Sequence, residues 1–212
     1  SDVCSSDLEI RGTRVLPATS VSWNDATRFA QALSGWLIAN DRERVARGQP
    51  PALPWEDGAP GFFRLPTETE WEFAARGGEA QSAAQSQRVY RVQGDDGRPR
   101  NVEMAEIAAV VTAQDPAPEG SQVTYQGRRL PNLYGLYDMV GNAEELAFDL
   151  FRARRPDLPA GQAGGVTLLG GNAQQPLDTL GVGVRREIPF YTPRGEVRSP
   201  VVGFRLVLTA PV

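Results

Sequence analysis

The chain has 212 residues, of which 41% are hydrophobic and 23% charged, values typical of a globular domain large enough to bury its own core. Its net charge is −4 and its isoelectric point about 5.0, which argues against a nucleic-acid surface, since such surfaces are normally basic. No run of about 18 apolar residues occurs, so no membrane span is expected. The chain has no histidine, all 22 of its basic residues are arginine, and its one cysteine is Cys4. These absences exclude Ser-His triads, Schiff-base lysines and zinc sites with nitrogen and sulfur ligands, and they leave the compartment undetermined.

The first predicted element is a helix that begins after Ser22. Ser22 and Asp25 have the spacing of a capping box. Apolar residues then recur at helical spacing and predict one buried face: Ala26, Phe29, Ala30, Leu33, Trp36 and Leu37. We expect this helix to end near residues 39–40. Residues 41–61 are rich in Arg, Pro and Gly and are predicted to form a surface loop.

A second helix is predicted after Pro66, with Thr67 as N-cap and Glu70 completing another capping box. Gly77 and Gly78 should end it. Glu68, Glu70 and Glu72 place negative charge near the positive end of this helix, which is favourable by itself. The alternative, a paired-carboxylate catalytic site, has no basic or nucleophilic residue beside it. Trp23, Trp36 and Trp71 are expected to pack in the core, and Trp55 to be exposed on the long loop.

The remaining chain predicts short elements. Residues 95–98 read as a turn, and residues 103–111 as a short helix or a strand. Short strands are predicted at 135–139, 166–169 and 201–209, with an Arg/Pro/Gly loop at 152–165.

Four ordered segments resemble the formylglycine-generating enzyme (sulfatase-modifying factor) family. They are VSWNDA at 21–26, RLPTETEWEFAARGG at 64–78, NLYGLYDMVGN at 132–142, and the Gly-Gly and Gly-Phe-Arg elements at 170–171 and 203–205. The resemblance implies an α+β fold, the family's variant of the C-type-lectin-like fold, with short strands, two main helices and much irregular chain.

The same resemblance indicates a fragment of a longer bacterial protein. Residues 1–8, SDVCSSDL, resemble translated sequencing adapter, which contaminates some metagenomic assemblies. We therefore interpret 1–8 as non-native and 9–212 as a sulfatase-modifying-factor-like domain, truncated at its N-terminus.

The family's catalytic side chains are missing. Formylglycine-generating enzymes use two cysteines, five residues apart, and bind copper there; thiolates suit cuprous ion. By count those positions are Gln175 and Leu180, and Asn172 replaces a family serine. A related branch holds iron with histidines, which this chain lacks. Neither copper nor iron is therefore expected.

A calcium site is implied at residues 137–145. The resemblance assigns as ligands the side chains of Asp138 and Glu145 and the backbone carbonyls of Gly141 and Ala143, all oxygen donors suited to a hard cation. The alternative is a turn whose acids are solvated or paired with arginine. A second site would start at Asn101-Val102 and use Asp115.

The family's substrate groove would pass near Gln175, Leu180, Arg185, Arg186 and Tyr191, and could grip a protein or peptide ligand. The alternative is a solvated loop. The sequence thus favours a catalytically inactive domain acting as a binding or structural module. An enzyme that reuses the groove with carboxylates stays open, and a formylglycine-generating oxidase is the least favoured of the three.

Overall fold

The computed structural model describes residues 15–78, 90–152 and 164–210. The adapter-like segment 1–8 and most of the predicted loop 152–165 lie outside these residues. Within them, no helix is long and apolar enough to cross a membrane.

The described chain forms three α-helices, one short 3-10 helix at Leu177–Thr179 and twelve short strands. The helices are α1 (Trp23–Ala46), α2 (Glu68–Ala75) and α3 (Met104–Ile107). The strands are β1 (Trp55–Glu56), β2 (Ala59–Pro60), β3 (Phe62–Arg64), β4 (Tyr90–Gln93), β5 (Pro99–Val102), β6 (Glu144–Leu150), β7 (Val166–Leu169), β8 (Arg185–Ile188), β9 (Tyr191–Thr192), β10 (Gly195–Glu196), β11 (Val202–Gly203) and β12 (Val207–Thr209).

The central element is a four-stranded sheet in the order β11-β6-β7-β8, parallel at β11–β6 and antiparallel elsewhere. Neighbouring residues in its strands point to opposite faces. Ala147 and Leu169 face a cluster that contains Trp71 of α2, whereas Leu146 and Leu168 face the other cluster, with Ala26 of α1 among its members. The sheet is therefore buried on both faces, and one helix packs against each cluster.

Helix α1 begins as predicted and ends later than predicted. Ser22 and Asp25 form the capping box, with the Ser22 hydroxyl accepting from the Asp25 amide at 3.1 Å. The helix continues to Ala46 because buried Asp41 accepts the amides of Ala52 at 2.7 Å and Leu53 at 2.9 Å. These bonds fold the following chain back onto the helix.

The loop predicted at 41–61 is wrong over much of its length. Its first residues are helical, and the β1–β2 hairpin occupies 55–60. Arg-, Pro- and Gly-rich composition does not reveal such elements, because tertiary contacts such as those of Asp41 hold them.

The core assignment of Trp36 is also wrong. Its side chain is 63% exposed, and Phe29 is exposed too, whereas Trp71 is fully buried and Trp23 half-buried. Ala26 and Ala30 of the predicted face are buried, and Ser34 and Asp41 complete the buried side of α1. Trp55 is exposed, as predicted.

The structure confirms the predicted start and end of helix α2. Thr67 caps it, and Glu70 closes the box onto the Thr67 amide at 2.8 Å. Glu70 also takes two bonds from Arg64, at 2.6 and 2.7 Å. Gly77 and Gly78 follow the helix at φ of 67° and 82°, a conformation that glycine adopts without strain.

The strand predictions have mixed outcomes. Residues 166–169 form β7, and 95–98 form the turn between β4 and β5. Residues 103–111 contain the short helix α3, and 201–209 contain two strands, β11 and β12. Residues 135–139 are not a strand; their chain turns because of the backbone at Asp138, described next.

Candidate functional site

The loop at 137–145 is held in an unusual backbone conformation. Asp138, Gly141 and Asn142 all have positive φ, at 55°, 79° and 54°. A Cβ on Gly141 would collide with the Ala109 carbonyl oxygen, so this position requires glycine. The Asn142 side chain accepts the amide of Thr124 at 2.9 Å, which fixes the loop to the neighbouring segment. Such strain persists where surrounding contacts enforce it, and it is common at ligand sites.

Asp138 carries a carboxylate with one unsatisfied oxygen. Its Oδ2 accepts from the Gly127 amide at 2.9 Å and from Asn142 Nδ2 at 3.3 Å. Its Oδ1 is buried and finds no hydrogen-bond partner among the described residues. Burial raises the pKa of Asp138, and the Glu145 charge adds to the rise; the two hydrogen bonds and the Arg205 charge oppose it. A cation at Oδ1 would satisfy this atom and stabilise the ionised form.

Glu145 is held by an arginine and a tryptophan. Arg205 donates from Nε at 2.9 Å and from Nη2 at 2.7 Å, one bond to each carboxylate oxygen. Trp71 Nε1 donates to Oε2 at 2.6 Å. Burial alone would lower the pKa of Arg205, but the charge of Glu145 and its hydrogen bonds raise it. The pair ties the C-terminal Gly-Phe-Arg element to β6 and α2.

Asp138, Ala143, Glu145 and Arg205 line one open cleft of about 430 Å³. Gly141, the fourth predicted ligand, is not among the residues that line this cleft, and its amide donates to the Gly170 carbonyl at 3.0 Å. Two carboxylates and one fixed arginine leave a single net negative charge at the cleft. No group of three or more His, Cys, Asp or Glu side chains arranged for a metal occurs within the described ranges. A cation here would therefore rely on backbone carbonyls, a donor that calcium accepts readily. The orphaned Oδ1 of Asp138 fits calcium, whereas the Arg205–Glu145 pair weakens the site.

The residues predicted for a second calcium site differ from those of the first, because their acid is already paired with arginines. Asn101 and Val102 lie in β5, and the Asp115 carboxylate pairs with Arg128 and, at 3.4 Å, with Arg129. Two arginines already balance the charge of Asp115.

The cysteine positions of the family serve packing and backbone hydrogen bonding here. Leu180 is 6% exposed and belongs to the core cluster of Trp71. Gln175 Oε1 accepts the amide of Asn172 at 2.8 Å. Asn172 Nδ2 in turn donates to Glu144 at 3.2 Å. No thiol or other nucleophile stands at either position.

The arginines predicted to line a groove are paired with acids. Arg185 Nη2 contacts Glu68 at 2.8 Å and its guanidinium lies 4.6 Å from the centre of the Phe151 ring. Arg186 binds both oxygens of Glu144. Tyr191 is exposed on the β9–β10 hairpin and accepts from Asn24 at 2.9 Å. Neither the open cleft nor the small cavity of about 30 Å³ beside it is lined by any of the five predicted groove residues. The groove stays a prediction.

Two important residues were missed from the sequence. Glu144 is 1% exposed and accepts hydrogen bonds from Arg186 and Asn172. Arg205 forms a bidentate ion pair with Glu145. A signal for Glu144 existed: it stands directly before Glu145, so the sequence places two acids side by side. Adjacent strand residues face opposite sides, so the two glutamates require separate cationic partners.

Comparison with known proteins agrees with this architecture. The family model described as "Sulfatase-modifying factor enzyme 1-like domain" matches residues 3–210. The chain belongs to the sulfatase-modifying factor family. Bovine (Bos taurus) "Inactive C-alpha-formylglycine-generating enzyme 2" is 31% identical over 151 residues, which cover 70% of this chain and 38% of that relative. The chain thus spans well under half of that protein's length.

Solved structures of similar fold include three proteins. Treponema denticola variable protein 1 matches with a TM-score of 0.55 and 21% identity, over 92% of this chain and 75% of that one. PvdO from Pseudomonas aeruginosa matches with a TM-score of 0.57 and 22% identity, over 92% of this chain and 62% of that one. CarF matches with a TM-score of 0.53 and 25% identity, over 93% of this chain and 69% of that one. The expected fold, mixed helix and short strand in the sulfatase-modifying-factor variant of the C-type-lectin-like fold, is confirmed.

Proposed function

We propose that this sulfatase-modifying-factor domain is a non-catalytic binding or structural module of a larger bacterial protein. One observation carries the proposal: the two cysteine positions hold a core leucine, Leu180, and a glutamine, Gln175, that binds the backbone. Oxidation of a substrate cysteine through copper needs thiolates that these residues cannot supply. The likeness to a relative described as inactive supports the same conclusion.

The proposal is tested by assaying the wild type for the reaction of formylglycine-generating enzymes. Formylglycine-generating activity on a cysteine-bearing sulfatase peptide, with copper supplied, should be absent in the wild type. A Cys4→Ser variant, in which no thiol remains, should not bind cuprous ion with thiolate-like affinity. Formylglycine formation by the wild type would overturn the proposal. A protein or peptide ligand near Tyr191 and Arg186 remains part of the proposal, and a partner screen with Tyr191→Ser as the reference variant would test that part.

We also propose that the loop at 137–145 holds a structural calcium ion. Asp138 and Glu145 would contribute side-chain oxygens, and Gly141 and Ala143 backbone carbonyls. The ion would supply positive charge to the orphaned Oδ1 of Asp138 and stiffen the loop, with no part in a reaction. The partial neutralisation of Glu145 by Arg205 favours weak affinity, because affinity for calcium rises with ligand charge.

Calcium should raise the melting temperature of the wild type by several degrees relative to chelator, because it binds only the folded loop. Asp138→Asn should abolish this rise; asparagine tolerates positive φ, so the backbone is retained. Asp57→Asn is the matched control, since Asp57 also has positive φ, at 47°, but lies exposed in the β1–β2 turn. Equal calcium responses in wild type and Asp138→Asn would exclude this site.

The second candidate function is that of an enzyme with Asp138 as its acid–base group. It is favoured by the raised pKa of Asp138 and by the position of this residue in an open cleft. A buried acid of this kind is a feature of general acid–base sites. An enzyme using Asp138 would keep its raised pKa in saturating calcium, whereas a calcium ligand would show a pKa well below its metal-free value. Carboxyl NMR titration with and without calcium separates the two functions.

A further inference from the structure

The guanidinium of Arg205 lies among oxygen atoms of the loop at 137–145. Its Nε and Nη2 donate to the two carboxylate oxygens of Glu145, at 2.9 and 2.7 Å. Its Nη2 also donates to the backbone carbonyl oxygen of Tyr137, at 3.1 Å. Oxygen atoms from the two ends of one loop therefore converge on a single positive group, as protein oxygens do on a bound hard cation.

The charge of Arg205 also acts on the other predicted carboxylate ligand. Burial alone would lower the pKa of Arg205, but the charge and hydrogen bonds of Glu145 and the charge of Asp138 raise it. Arg205 and both acids line the same open cleft. This positive charge is permanent, because a guanidinium does not lose its proton in proteins.

Glu145 has little capacity left for a metal ion. Its Oε2 accepts from Arg205 Nε and, at 2.6 Å, from Trp71 Nε1, and its Oε1 accepts from Arg205 Nη2. A carboxylate offers about four acceptor positions in all. Calcium takes roughly six to eight oxygen ligands at about 2.3–2.6 Å. An ion bound through Glu145 would therefore have to displace the guanidinium.

The charges of the site favour such an exchange of one cation for the other. Asp138 and Glu145 carry two negative charges, and Arg205 balances one of them. Calcium added beside Arg205 would leave an excess positive charge, whereas calcium in place of Arg205 would leave none. Removal of the arginine should therefore strengthen calcium binding, because affinity for calcium rises with the charge of its ligands.

We propose that Arg205 is a built-in cation that takes the place of calcium at this loop, so that Arg205 and calcium compete for Glu145. The inference rests on the calcium site proposed above for the identity of the competing ion, but it does not require the wild type to bind that ion. The guanidinium joins the loop to the C-terminal Gly-Phe-Arg element without a metal, and calcium binding releases it.

Isothermal titration calorimetry with calcium tests the competition in the wild type and in Arg205→Met. Methionine brings neither a charge nor an oxygen ligand. Arg205→Met should bind calcium at least about tenfold more tightly than the wild type. In chelator its melting temperature should be lower than that of the wild type, because Glu145 has lost its charged partner. Calcium should restore most of this loss, whereas magnesium should not, since it demands octahedral geometry and keeps several waters.

Arg186→Met is the matched control. It removes the arginine that binds both oxygens of Glu144, the neighbour of Glu145 on the opposite face of β6. This variant should also lose stability, but calcium should not restore it, because Glu144 is not among the residues that line the cleft. Arg205→Met combined with Glu145→Gln should bind calcium no more tightly than the wild type, since only one carboxylate then remains.

The outcomes separate this inference from the proposed structural calcium. Equal calcium affinity in the wild type and Arg205→Met overturns the inference, and so does equal restoration of Arg205→Met and Arg186→Met by calcium. Calcium binding by the wild type without a gain in Arg205→Met leaves the structural ion in place and rejects the competition. A gain in Arg205→Met with no binding to the wild type does the reverse.

Arg205→Met could be unfolded in chelator, and circular dichroism during calcium addition then supplies the readout. Calcium should refold this variant, because the ion replaces the missing positive charge at Glu145. A variant that stays unfolded in saturating calcium overturns the inference.

Discussion

At the scale of single residues, three glutamates are each held by an arginine. Glu144 pairs with Arg186, Glu145 with Arg205, and Glu70 with Arg64. Arginine suits this role because its planar guanidinium binds both carboxylate oxygens at once. Each pair joins segments that are distant in sequence or fixes a helix end, so the acids act as anchors for the chain.

The Glu70–Arg64 pair should stabilise the protein at neutral pH and lose this effect in acid. Hydrogen bonds from Arg64 chiefly lower the pKa of Glu70, from 4.5 to about 2. The contribution is therefore fully present above pH 4.5 and is lost as pH falls toward 2. The Glu70 side chain is 41% exposed, and solvent screening reduces the gain to about 1 kcal/mol.

Urea unfolding at pH 7 and pH 3 measures this contribution. Glu70→Gln should lower the free energy of unfolding by about 1 kcal/mol at pH 7 and by less at pH 3. Glu43→Gln, in the exposed pair with Arg47, should change stability by less than about 0.5 kcal/mol at either pH. An equal loss for Glu70→Gln at both pH values would contradict the assignment.

We expect a larger loss of stability when Glu144 loses its charged partner, because its carboxylate is buried. Arg186→Met should leave its carboxylate without its charged partner and destabilise the protein by about 3 kcal/mol. Glu144→Gln with Arg186→Met should recover part of this loss, because no buried charge then remains. The free energy of unfolding in urea is the readout. A loss for Arg186→Met below about 1 kcal/mol would show that Asn172 and water suffice for Glu144.

At the scale of elements, the length of α1 depends on one aspartate. Burial alone would raise the pKa of Asp41, but the Ala52 and Leu53 amides and the Arg44 charge lower it. Asp41→Asn should cost about 1–3 kcal/mol, because one amide loses its acceptor in a buried place. Amide hydrogen exchange should speed up at residues 52–53 and across the last turns of α1. Unchanged exchange there would show that the helix end stands without Asp41.

Helix α2 is the element on which the candidate site depends. Trp71 is 1% exposed and also donates to Glu145. Trp71→Ala should therefore cost about 3–5 kcal/mol, whether or not calcium is present. Phe73→Ala on the exposed side of the same helix should cost about 1 kcal/mol or less. A near-neutral Trp71→Ala would mean that α2 is wrongly placed.

At the scale of the whole molecule, the sheet makes one cooperative unit of two clusters. Leu168 and Leu169 are neighbours in β7 but contribute to different clusters. Neither cluster can open without disturbing the strand that serves the other. We therefore expect a single unfolding transition, as small single domains usually show.

Fluorescence tests this cooperativity, because one tryptophan reports on each side of the sheet. Trp23 packs against the cluster of Ala26, and Trp71 belongs to the other cluster. Variants Trp23→Phe and Trp71→Phe should each unfold with one midpoint that coincides with far-ultraviolet circular dichroism. Two separate midpoints in one variant would show that the clusters unfold independently.

Much of the fold was readable from local sequence. The capping boxes at Ser22 and Thr67 and the glycine stop after α2 are set by contacts within a few residues. The strand at 166–169 was indicated by its local composition, although it pairs with the distant strands β6 and β8. The family motifs then supplied the architecture. The strand expected at 135–139 failed because Asp138 adopts positive φ, which depends on partners at Gly127 and Asn142.

The family, the two helix starts and the loss of the catalytic thiols follow from the amino-acid sequence, because each depends on which residue stands at a position. The folded structure was needed to show that Arg205 binds both oxygens of Glu145, that Glu144 is buried and paired with Arg186, and that Trp36 faces outward. Those outcomes depend on which distant segments meet. Periodicity marks an apolar helix face, but what covers that face is fixed by packing, and on α1 the smaller residues Ala26, Ala30 and Ser34 are the ones that pack closely.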